Sequence, residues 1–184
     1  MKLVRYGDFG SEKPGVIDTD GRIRDLSNVI PDIDGPFLGR GGLDELKNLD
    51  LDTLPEVSGS PRFGIPINGT PKLICIGLNY SDHAKESNMP IPTEPVVFMK
   101  AISALNGPND EVILPNKSVK GDWEVELAVV ISKTARNVEE SDALSYVAGY
   151  TICNDVSERE WQLEHGSQWS KGKSFDTFAP VGPW

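Results

Sequence analysis

Alternating apolar and polar positions characterise the first 25 residues of the chain. The segments KLVRYG, PGVIDTDG and RIRDLS have the two-residue period of strands, and Asp20 with Gly21 is typical of a hairpin turn. A stretch marked by Gly and Pro, GPFLGRGG, leads to a short helix predicted over LDELKNLDLDTL, and SGSPRFGIPINGTP has the composition of a connector. We therefore predict a small β-rich N-terminal domain over residues 1–70 and a second domain over residues 71–184.

Apolar runs separated by Gly and Pro continue through the second part of the chain. Strands are predicted for KLICIG, PVVFMK, EVILP, WEVELAVVI and AGYTICND, and a helical turn for the residues after Ser81 or Asp82. VEESDALSYV has the pattern of an amphipathic helix. SEREWQLEH predicts another, with Ser157 and Glu160 as its capping box. SKGKSFDTFAPVGPW holds so many Gly and Pro residues that we expect a loop there. The pattern predicts a mixed α/β fold, mainly β.

Two glutamates interrupt the apolar segment WEVELAVVI. Side chains two positions apart on a strand share a face, so Glu124 and Glu126 point one way while the apolar residues at 123, 125, 127 and 129 point the other way. Asp155 ends the next apolar strand. Three carboxylates would supply oxygen ligands of the kind that Mg²⁺ or Mn²⁺ prefers. The alternative is a solvent-facing strand with two screened glutamates, because so short a pattern often occurs by chance.

His83 and Glu86 form an H-x-x-E pair. On a helix this spacing places both side chains on one side, where a glutamate can orient the imidazole and raise its basicity. The pair therefore has the requirements of a general base that activates water. An ordinary ion pair on the surface of a helix is the alternative.

Three further polar residues are candidates for binding a substrate. Lys173, between Gly172 and Ser174, could stabilise a developing oxyanion if the surrounding loop holds it in place. Arg159 and Gln162 follow Asp155 on a predicted helix and could bind a carboxylate or carbonyl group. The alternatives are an exposed loop lysine and a solvated helix face.

Composition narrows the classes of partner. The chain of 184 residues has a formal charge of −10, which disfavours nucleic acid and anionic membranes as partners and favours a small molecule or a metal ion. No apolar run has the length of a membrane span, and the first residues, MKLVRYGDFG, lack the hydrophobic region of a signal peptide. We therefore expect a cytoplasmic location. Cys75 and Cys153 lie in apolar strands and are predicted to be free core residues.

Six segments, taken in chain order, resemble the fumarylacetoacetate hydrolase family. They are GLNYSDHAKE, EPVVFMK, SALNGPNDEVILP, DWEVELAVVI, GYTICNDVSERE and KGKSFDTFAPVGPW. The resemblance extends from about residue 72 to the end of the chain. It implies a β-roll catalytic domain preceded by a small β-rich N-terminal domain. Because family members continue well beyond the segment GPW, it also implies that the C-terminal part of this domain is absent.

The resemblance also implies roles for the candidate residues. Glu124, Glu126 and Asp155 are expected to bind Mg²⁺ or Mn²⁺, whereas His83 and Glu86 are expected to activate water. The expected substrate-binding residues, together with Arg159, are Gln162 and Lys173, and Lys173 is also expected to be catalytic.

The activity that the resemblance implies is cleavage of a carbon–carbon bond in a 2,4-diketo acid, giving pyruvate and a carboxylic acid. The amino-acid sequences of these segments most resemble those of bacterial members that act on diketo-deoxy sugar acids, such as 2,4-diketo-3-deoxy-L-rhamnonate or -fuconate. Decarboxylation of oxaloacetate and isomerisation of a hydroxymuconate-type diacid are alternatives on the same scaffold, and an inactive relative is a third. The family also implies a homodimer.

Overall fold

The N-terminal part of the chain contains a small antiparallel sheet. In the computed structural model, which describes residues 1–86, 88 and 90–184 apart from the side chain of His83, the sheet comprises β1 (Lys2–Tyr6), β2 (Lys13–Ile17) and β3 (Ile23–Asp25) in that order. Gly21, in the turn before β3, has a φ of +82°, a conformation that favours glycine. All three strands predicted from the alternating pattern are confirmed.

Two short helices pack against this sheet. They are α1 (Gly35–Gly39) and α2 (Gly42–Lys47), and a 3₁₀ turn, Leu51–Thr53, follows them. The sequence did not predict α1, because GPFLGRGG is rich in Gly and Pro. Asp34 nevertheless caps the first turn by accepting the N–H of Phe37, and a proline is well tolerated in the first turn of a helix. The buried core of this part consists of Val16, Leu26, Ile30, Ile33, Phe37, Leu38 and Leu46.

The strands of the second part form two packed sheets and a short ribbon. They are β4 (Leu73–Gly77), β5 (Val96–Lys100), β6 (Leu105–Asn106), β7 (Gly121–Asp122), β8 (Val125–Ile131), β9 (Val147–Asn154), β10 (Ser157–Glu158) and β11 (Ala179–Gly182). Strands β4 and β5 pair antiparallel, β7 pairs with β10, and the four-stranded sheet has the order β6-β11-β9-β8. The buried core of the second part consists of Ala104, Cys153, Val156, Phe178, Ala179 and Val181.

The helices of the second part are short. Helix α3 (Ser81–Glu86) begins where the sequence predicted a helical turn, and α4 (Trp169–Lys173) lies in the segment predicted to be a loop. Glu160–Glu164 forms a π-helical turn, and Ile102–Ala104 and Glu140–Tyr146 are 3₁₀. None of the helices in the described ranges combines the length and the apolar character of a membrane span.

Several sequence predictions for the second part were wrong. EVILP is not a strand, since its residues lie in an irregular loop. VEESDALSYV contains the 3₁₀ segment instead of an α-helix, and its side chains are largely exposed, so no apolar face is buried to stabilise a longer helix. The C-terminal segment is not a plain loop, because β11 pairs with both β9 and β6 and lies in the core.

The predicted capping box at Ser157 is also wrong. Ser157 lies in β10, fully buried, and its hydroxyl donates to the backbone oxygen of Asp155 at 3.0 Å. The helical turn begins only at Glu160. Pairing of β10 with β7 holds Glu158 in an extended conformation, whereas the residue after a cap at Ser157 would need helical backbone angles.

Strand β8 has the two faces that the sequence predicted. The glutamate face turns inward, whereas the apolar face is exposed: Trp123 is 71% and Leu127 61% accessible. The apolar face of β8 is therefore the solvent-exposed one in this chain. The outer faces of β4, β5 and β9 are also apolar and exposed, through Ile74, Ile76, Val97, Met99, Tyr150 and Ile152.

Candidate functional site

Two of the three predicted metal ligands are held side by side by the pairing of β8 with β9. Val125 lies opposite Asn154, so Glu124, just before β8, is next to Asp155, just after β9. The backbone N–H of Asp155 donates to the carbonyl of Glu124 at 2.9 Å. Glu126 follows on the inward face of β8. The antiparallel register thus brings together carboxylates that are about thirty residues apart in the chain.

Lys173 lies between Glu124 and Asp155. Its ammonium group donates to Oε1 of Glu124 at 3.1 Å, to Oδ2 of Asp155 at 2.7 Å and to the hydroxyl of Ser157 at 2.9 Å. An ammonium group has three protons, so these bonds satisfy it completely. Lys173 is the last residue of α4 and is buried, unlike the exposed loop lysine of the alternative interpretation.

A second buried lysine, Lys100, contacts the same carboxylate. Its ammonium group donates to Oδ1 of Asp155 at 2.6 Å and to the carbonyl of Val156 at 3.0 Å. Burial is the largest effect on this group and lowers the pKa of Lys100, although the negative charge of Asp155 opposes the shift. Each oxygen of Asp155 therefore has a lysine of its own.

Arg159 holds three polar side chains together at the edge of the site. Its guanidinium contacts Oε1 of Glu124 at 2.6 Å, Oδ2 of Asp122 at 2.7 Å and Oε1 of Gln162 at 2.9 Å. Gln162 lies in the π-helical turn and is buried. Of the three residues predicted to bind substrate, Arg159 thus contacts Glu124 directly and Gln162 is joined to it through Arg159, whose guanidinium is engaged by carboxylates of the chain itself.

Glu126 differs from the other two carboxylates because it forms no ion pair within the described part of the chain. Burial raises the pKa of Glu126, and the negative charges of Glu124 and Asp155 raise it further. A nearby cation would counter both effects. Among the described side chains, Glu126 is therefore the one carboxylate of the three without an ion pair.

The predicted water-activating pair lies on α3, close to β8. Tyr80 directly precedes this helix, and its hydroxyl accepts the backbone N–H of Leu127 at 3.3 Å. Glu86 is the last residue of α3 and is exposed. The side chain of His83 lies outside the described residues, so its pairing with Glu86 stays a prediction.

The oxygen ligands of the site are of the kind that binds a divalent cation, although the described side chains are not arranged around a common position for one. Within residues 1–86, 88 and 90–184, no three acidic, histidine or cysteine side chains are arranged to hold a metal ion. The ammonium group of Lys173 instead binds Glu124 and Asp155 together, in the manner of a stand-in cation. Three hard oxygen donors, one of them without a positive partner, suit Mg²⁺ or Mn²⁺. Lys173 would have to release the two carboxylates when such an ion binds.

Sequence reasoning missed Lys100 and Ser157. Lys100 alternates with Val97 and Met99 on β5 and shares the inward face with Phe98. A lysine at the end of an apolar strand could have signalled a buried charge. However, both faces of VVFMK are apolar, so the pattern does not indicate which face turns inward. Ser157 was assigned to a helix cap, although its hydroxyl contacts Lys173.

The two cysteines are free, as the sequence predicted. Burial raises the pKa of Cys75 to about 11 and that of Cys153 to about 12, and the nearby charge of Asp155 contributes to both shifts. Thiols with such pKa values are protonated at neutral pH and are poor nucleophiles. Both residues are therefore part of the packing around the site.

Comparisons with known proteins agree with this architecture. The family model described as fumarylacetoacetate (FAA) hydrolase C-terminal matches residues 72–184. The 2,4-didehydro-3-deoxy-L-rhamnonate hydrolase of Sphingomonas sp. (strain SKA58) is 59% identical over the whole chain, which covers 63% of that relative. The fumarylacetoacetate hydrolase structure from Exiguobacterium antarcticum is 34% identical with a TM-score of 0.83; the match covers the whole chain and 65% of that structure.

A third relative is named for a different activity. The structure of 5-carboxymethyl-2-hydroxymuconate delta-isomerase from Mycobacterium smegmatis is 31% identical with a TM-score of 0.71, and the whole chain covers 65% of it. The chain thus spans less than two thirds of each of these relatives. The predicted mixed α/β fold, mainly β, is confirmed, and the family model covers more than half of the chain. The chain therefore belongs to the fumarylacetoacetate hydrolase family.

Proposed function

We propose that this chain carries the site of a divalent-metal-dependent hydrolase that cleaves a 2,4-diketo acid to pyruvate and a carboxylic acid. The observation that carries the proposal is the convergence of Glu124, Asp155 and Lys173, whose ammonium group lies 3.1 and 2.7 Å from the two carboxylates. The name of the Sphingomonas relative, a 2,4-didehydro-3-deoxy-L-rhamnonate hydrolase, supports a diketo-deoxy sugar acid as the substrate.

In this proposal the carboxylates hold the cation, and the cationic side chains bind the substrate. Glu124, Glu126 and Asp155 would bind Mg²⁺ or Mn²⁺, which supplies Lewis-acid polarisation of bound carboxylate and keto oxygens. Arg159 contacts both Glu124 and Gln162, and Arg159 and Gln162 would orient the carboxylate end of the substrate. Lys173, once released from the carboxylates, would stabilise negative charge on an oxygen of the substrate.

The hydrolytic step requires an activated water. His83, oriented by Glu86, would remove a proton from the water that attacks the distal keto carbon. The bond between C3 and C4 then breaks, its electron pair stays on C3, and C3 takes up a proton to complete pyruvate. The other product is a carboxylic acid that contains the oxygen of the water.

The test is an assay of the 184-residue protein with Mg²⁺ and 2,4-didehydro-3-deoxy-L-rhamnonate, in which pyruvate and CO₂ are measured separately. We expect pyruvate without CO₂, loss of activity in Lys173→Met, and retention of activity in Lys171→Met, which removes an exposed lysine from the same helix. CO₂ released from oxaloacetate, with no pyruvate from any diketo acid, would instead assign a decarboxylase.

Isomerisation is the second candidate, because the chain is 31% identical to a structure named as a 5-carboxymethyl-2-hydroxymuconate delta-isomerase. Isomerisation leaves the mass of the substrate unchanged, whereas hydrolysis adds one water. Incubation of a diketo acid and a hydroxymuconate-type diacid in H₂¹⁸O, followed by mass spectrometry, separates the two reactions. Incorporation of ¹⁸O into the carboxylic acid product supports the hydrolase, and an unlabelled product of unchanged mass supports the isomerase.

A further inference from the structure

Lys100 has a fully buried side chain beside the candidate metal ligands. Its side chain is 0% exposed, and its ammonium group contacts Oδ1 of Asp155 and the carbonyl of Val156. Within the described residues it forms no ion pair with Glu124 or Glu126. Lys100 therefore acts on one oxygen of a single carboxylate, whereas Lys173 bridges two carboxylates.

The two lysines are fixed relative to each other. The hydroxyl of Ser170 donates to the carbonyl of Met99 at 2.6 Å, and the backbone N–H of Ala101 donates to the hydroxyl of Ser174 at 2.9 Å. These bonds lie on either side of Lys100 in β5 and join it to α4, which ends at Lys173. Asp155 thus faces a rigid pair of cations, one for each of its oxygens.

We infer that Lys100 is a positioning residue that restricts Asp155 to a single oxygen, Oδ2, for a metal ion. This inference rests on the proposed function, in which Asp155 is a metal ligand. Lys173 contacts Oδ2 of Asp155, and its ammonium group would leave this oxygen when a metal ion binds. Lys100 stays on Oδ1, because its second bond to the carbonyl of Val156 is independent of the metal site.

A carboxylate limited to one oxygen affects the choice between cations. Ca²⁺ takes six to eight oxygen ligands and often binds both oxygens of a carboxylate, whereas Mg²⁺ needs six ligands in near-octahedral geometry. Blocking Oδ1 removes a ligand that Ca²⁺ can use and Mg²⁺ does not need. Lys100 therefore makes the site selective for the smaller ion.

The test measures the dissociation constants of Mg²⁺ and Ca²⁺ by calorimetry for the wild-type protein and for Lys100→Met. Both ions carry the same charge, so loss of a lysine charge changes both affinities alike and cancels in their ratio. We expect the ratio to shift towards Ca²⁺ by about tenfold, the lower end of the effect of partners that orient metal ligands. Lys171→Met, which removes an exposed charge from α4, should leave the ratio unchanged.

The outcomes separate this inference from the proposed function. An unchanged ratio in Lys100→Met, with both ions still bound, would overturn the inference and leave the metal site in place. Absence of binding of either ion to the wild-type protein would overturn the metal site and the inference together. Circular dichroism checks that the variant is folded. If it is not, the wild-type protein decides, because tighter binding of Ca²⁺ than of Mg²⁺ would overturn the inference by itself.

Discussion

Glu124 and Glu126 have different electrostatic environments, although they lie two positions apart. Glu124 contacts both Lys173 and Arg159, so its charge is compensated by the chain. Glu126 has a raised pKa because burial and the two neighbouring carboxylates disfavour its charge. In the metal-free protein, the ion pairs of Glu124 therefore stabilise the fold, whereas the negative charge of Glu126 destabilises it.

Glu126→Gln should separate metal binding from folding. The change keeps the size of the side chain and removes a charge that burial opposes, so we expect the melting temperature of the metal-free protein to stay the same or rise. The affinity for Mg²⁺ should fall by at least about tenfold, because one oxygen ligand loses its charge. Calorimetry and thermal unfolding of the same sample measure both effects. An unaltered Mg²⁺ affinity would remove Glu126 from the metal site.

Glu124→Ala should instead destabilise the metal-free protein. The buried Lys173 would lose one of its three acceptors and Arg159 one of its carboxylates, and cations left without partners are costly when buried. We expect a lower melting temperature than for Glu126→Gln, together with the loss of Mg²⁺ affinity. Equal melting temperatures for the two variants would contradict the difference in their partners.

Sequence alone could predict part of this site. The two-residue period of a strand places Glu124 and Glu126 on one face, and Asp155 is added by its place at the end of the next apolar strand. The resemblance to a family then implies that all three bind a metal ion. Neither reveals that Lys173 bridges Glu124 and Asp155 or that Lys100 contacts the other oxygen of Asp155, because these contacts depend on how β5 and α4 pack against β8 and β9. Pairings between distant segments have no local signal in the chain.

At the level of elements, the close approach of α4 to the π-helical turn places Lys173. Gly172 lies where a Cβ atom would be 2.4 Å from the backbone nitrogen of Gln162 and 2.5 Å from the carbonyl of Glu158. Neither contact can be relieved by rotating a side chain. Any larger residue must therefore push α4, and Lys173 with it, away from the carboxylates.

Gly172→Ala should consequently weaken the site without altering a polar group. We expect it to destabilise the protein by about 1–3 kcal/mol, the usual cost of overpacking, and to lower the affinity for Mg²⁺. Gly149→Ala is the matched control, because a Cβ atom there meets nothing within 4 Å. Urea unfolding of both variants measures the difference. Equal stability of the two would mean that α4 is not held by this contact.

An ion network joins the N-terminal part to the loop after β6. Arg62 contacts both oxygens of Asp110, at 2.8 and 2.6 Å, and Oε1 of Glu12 at 2.8 Å. The hydrogen bond from Arg62 lowers the pKa of Asp110 below its ordinary value of 3.8. A carboxyl with a depressed pKa stabilises the folded state above that value, and the contribution is lost as the pH falls through the folded pKa.

Arg62→Met should therefore destabilise the protein near neutral pH and progressively less in acid. We expect the difference in melting temperature from the wild-type protein to shrink as the pH falls from 3.8 through the lower folded pKa of Asp110, because Asp110 is protonated in both proteins only below that lower pKa. Arg40→Met removes an arginine from an exposed pair with Glu45 and serves as the control. A difference that stays constant with pH would exclude the network as its cause.

The elements differed in how far the sequence could predict them. β1, β2 and β3 follow from local alternation and a glycine turn, because each pairs with its neighbour in the chain. β11 was missed, since its pairing with β9 and β6 outweighs the weak strand preference of APVG. EVILP has the composition of a strand but lies in a loop. Its backbone pairs with none of the described strands, and its apolar side chains at 113 and 114 are exposed, so neither pairing nor burial stabilises a strand there.

At the scale of the whole molecule, the exposed apolar face of β8 is the main departure from an ordinary surface. Val125, Leu127, Val129 and Ile131 are each about half exposed or more, and Tyr150 and Ile152 on β9 continue the face. Apolar patches of this kind are sites of association between proteins. The predicted homodimer and less specific aggregation would both bury this surface.

Replacing Leu127 and Val129 together by threonine should therefore reduce self-association. Threonine keeps the preference for a strand and makes the outer face polar, while the inward face with Glu126 is unchanged. Sedimentation velocity over a range of protein concentrations measures the effect. Leu144→Thr is the control, because Leu144 is exposed on the 3₁₀ segment, away from the sheet. Association that persists in the double variant would assign it to another surface, and the outer face of β4 and β5 would be the next to test.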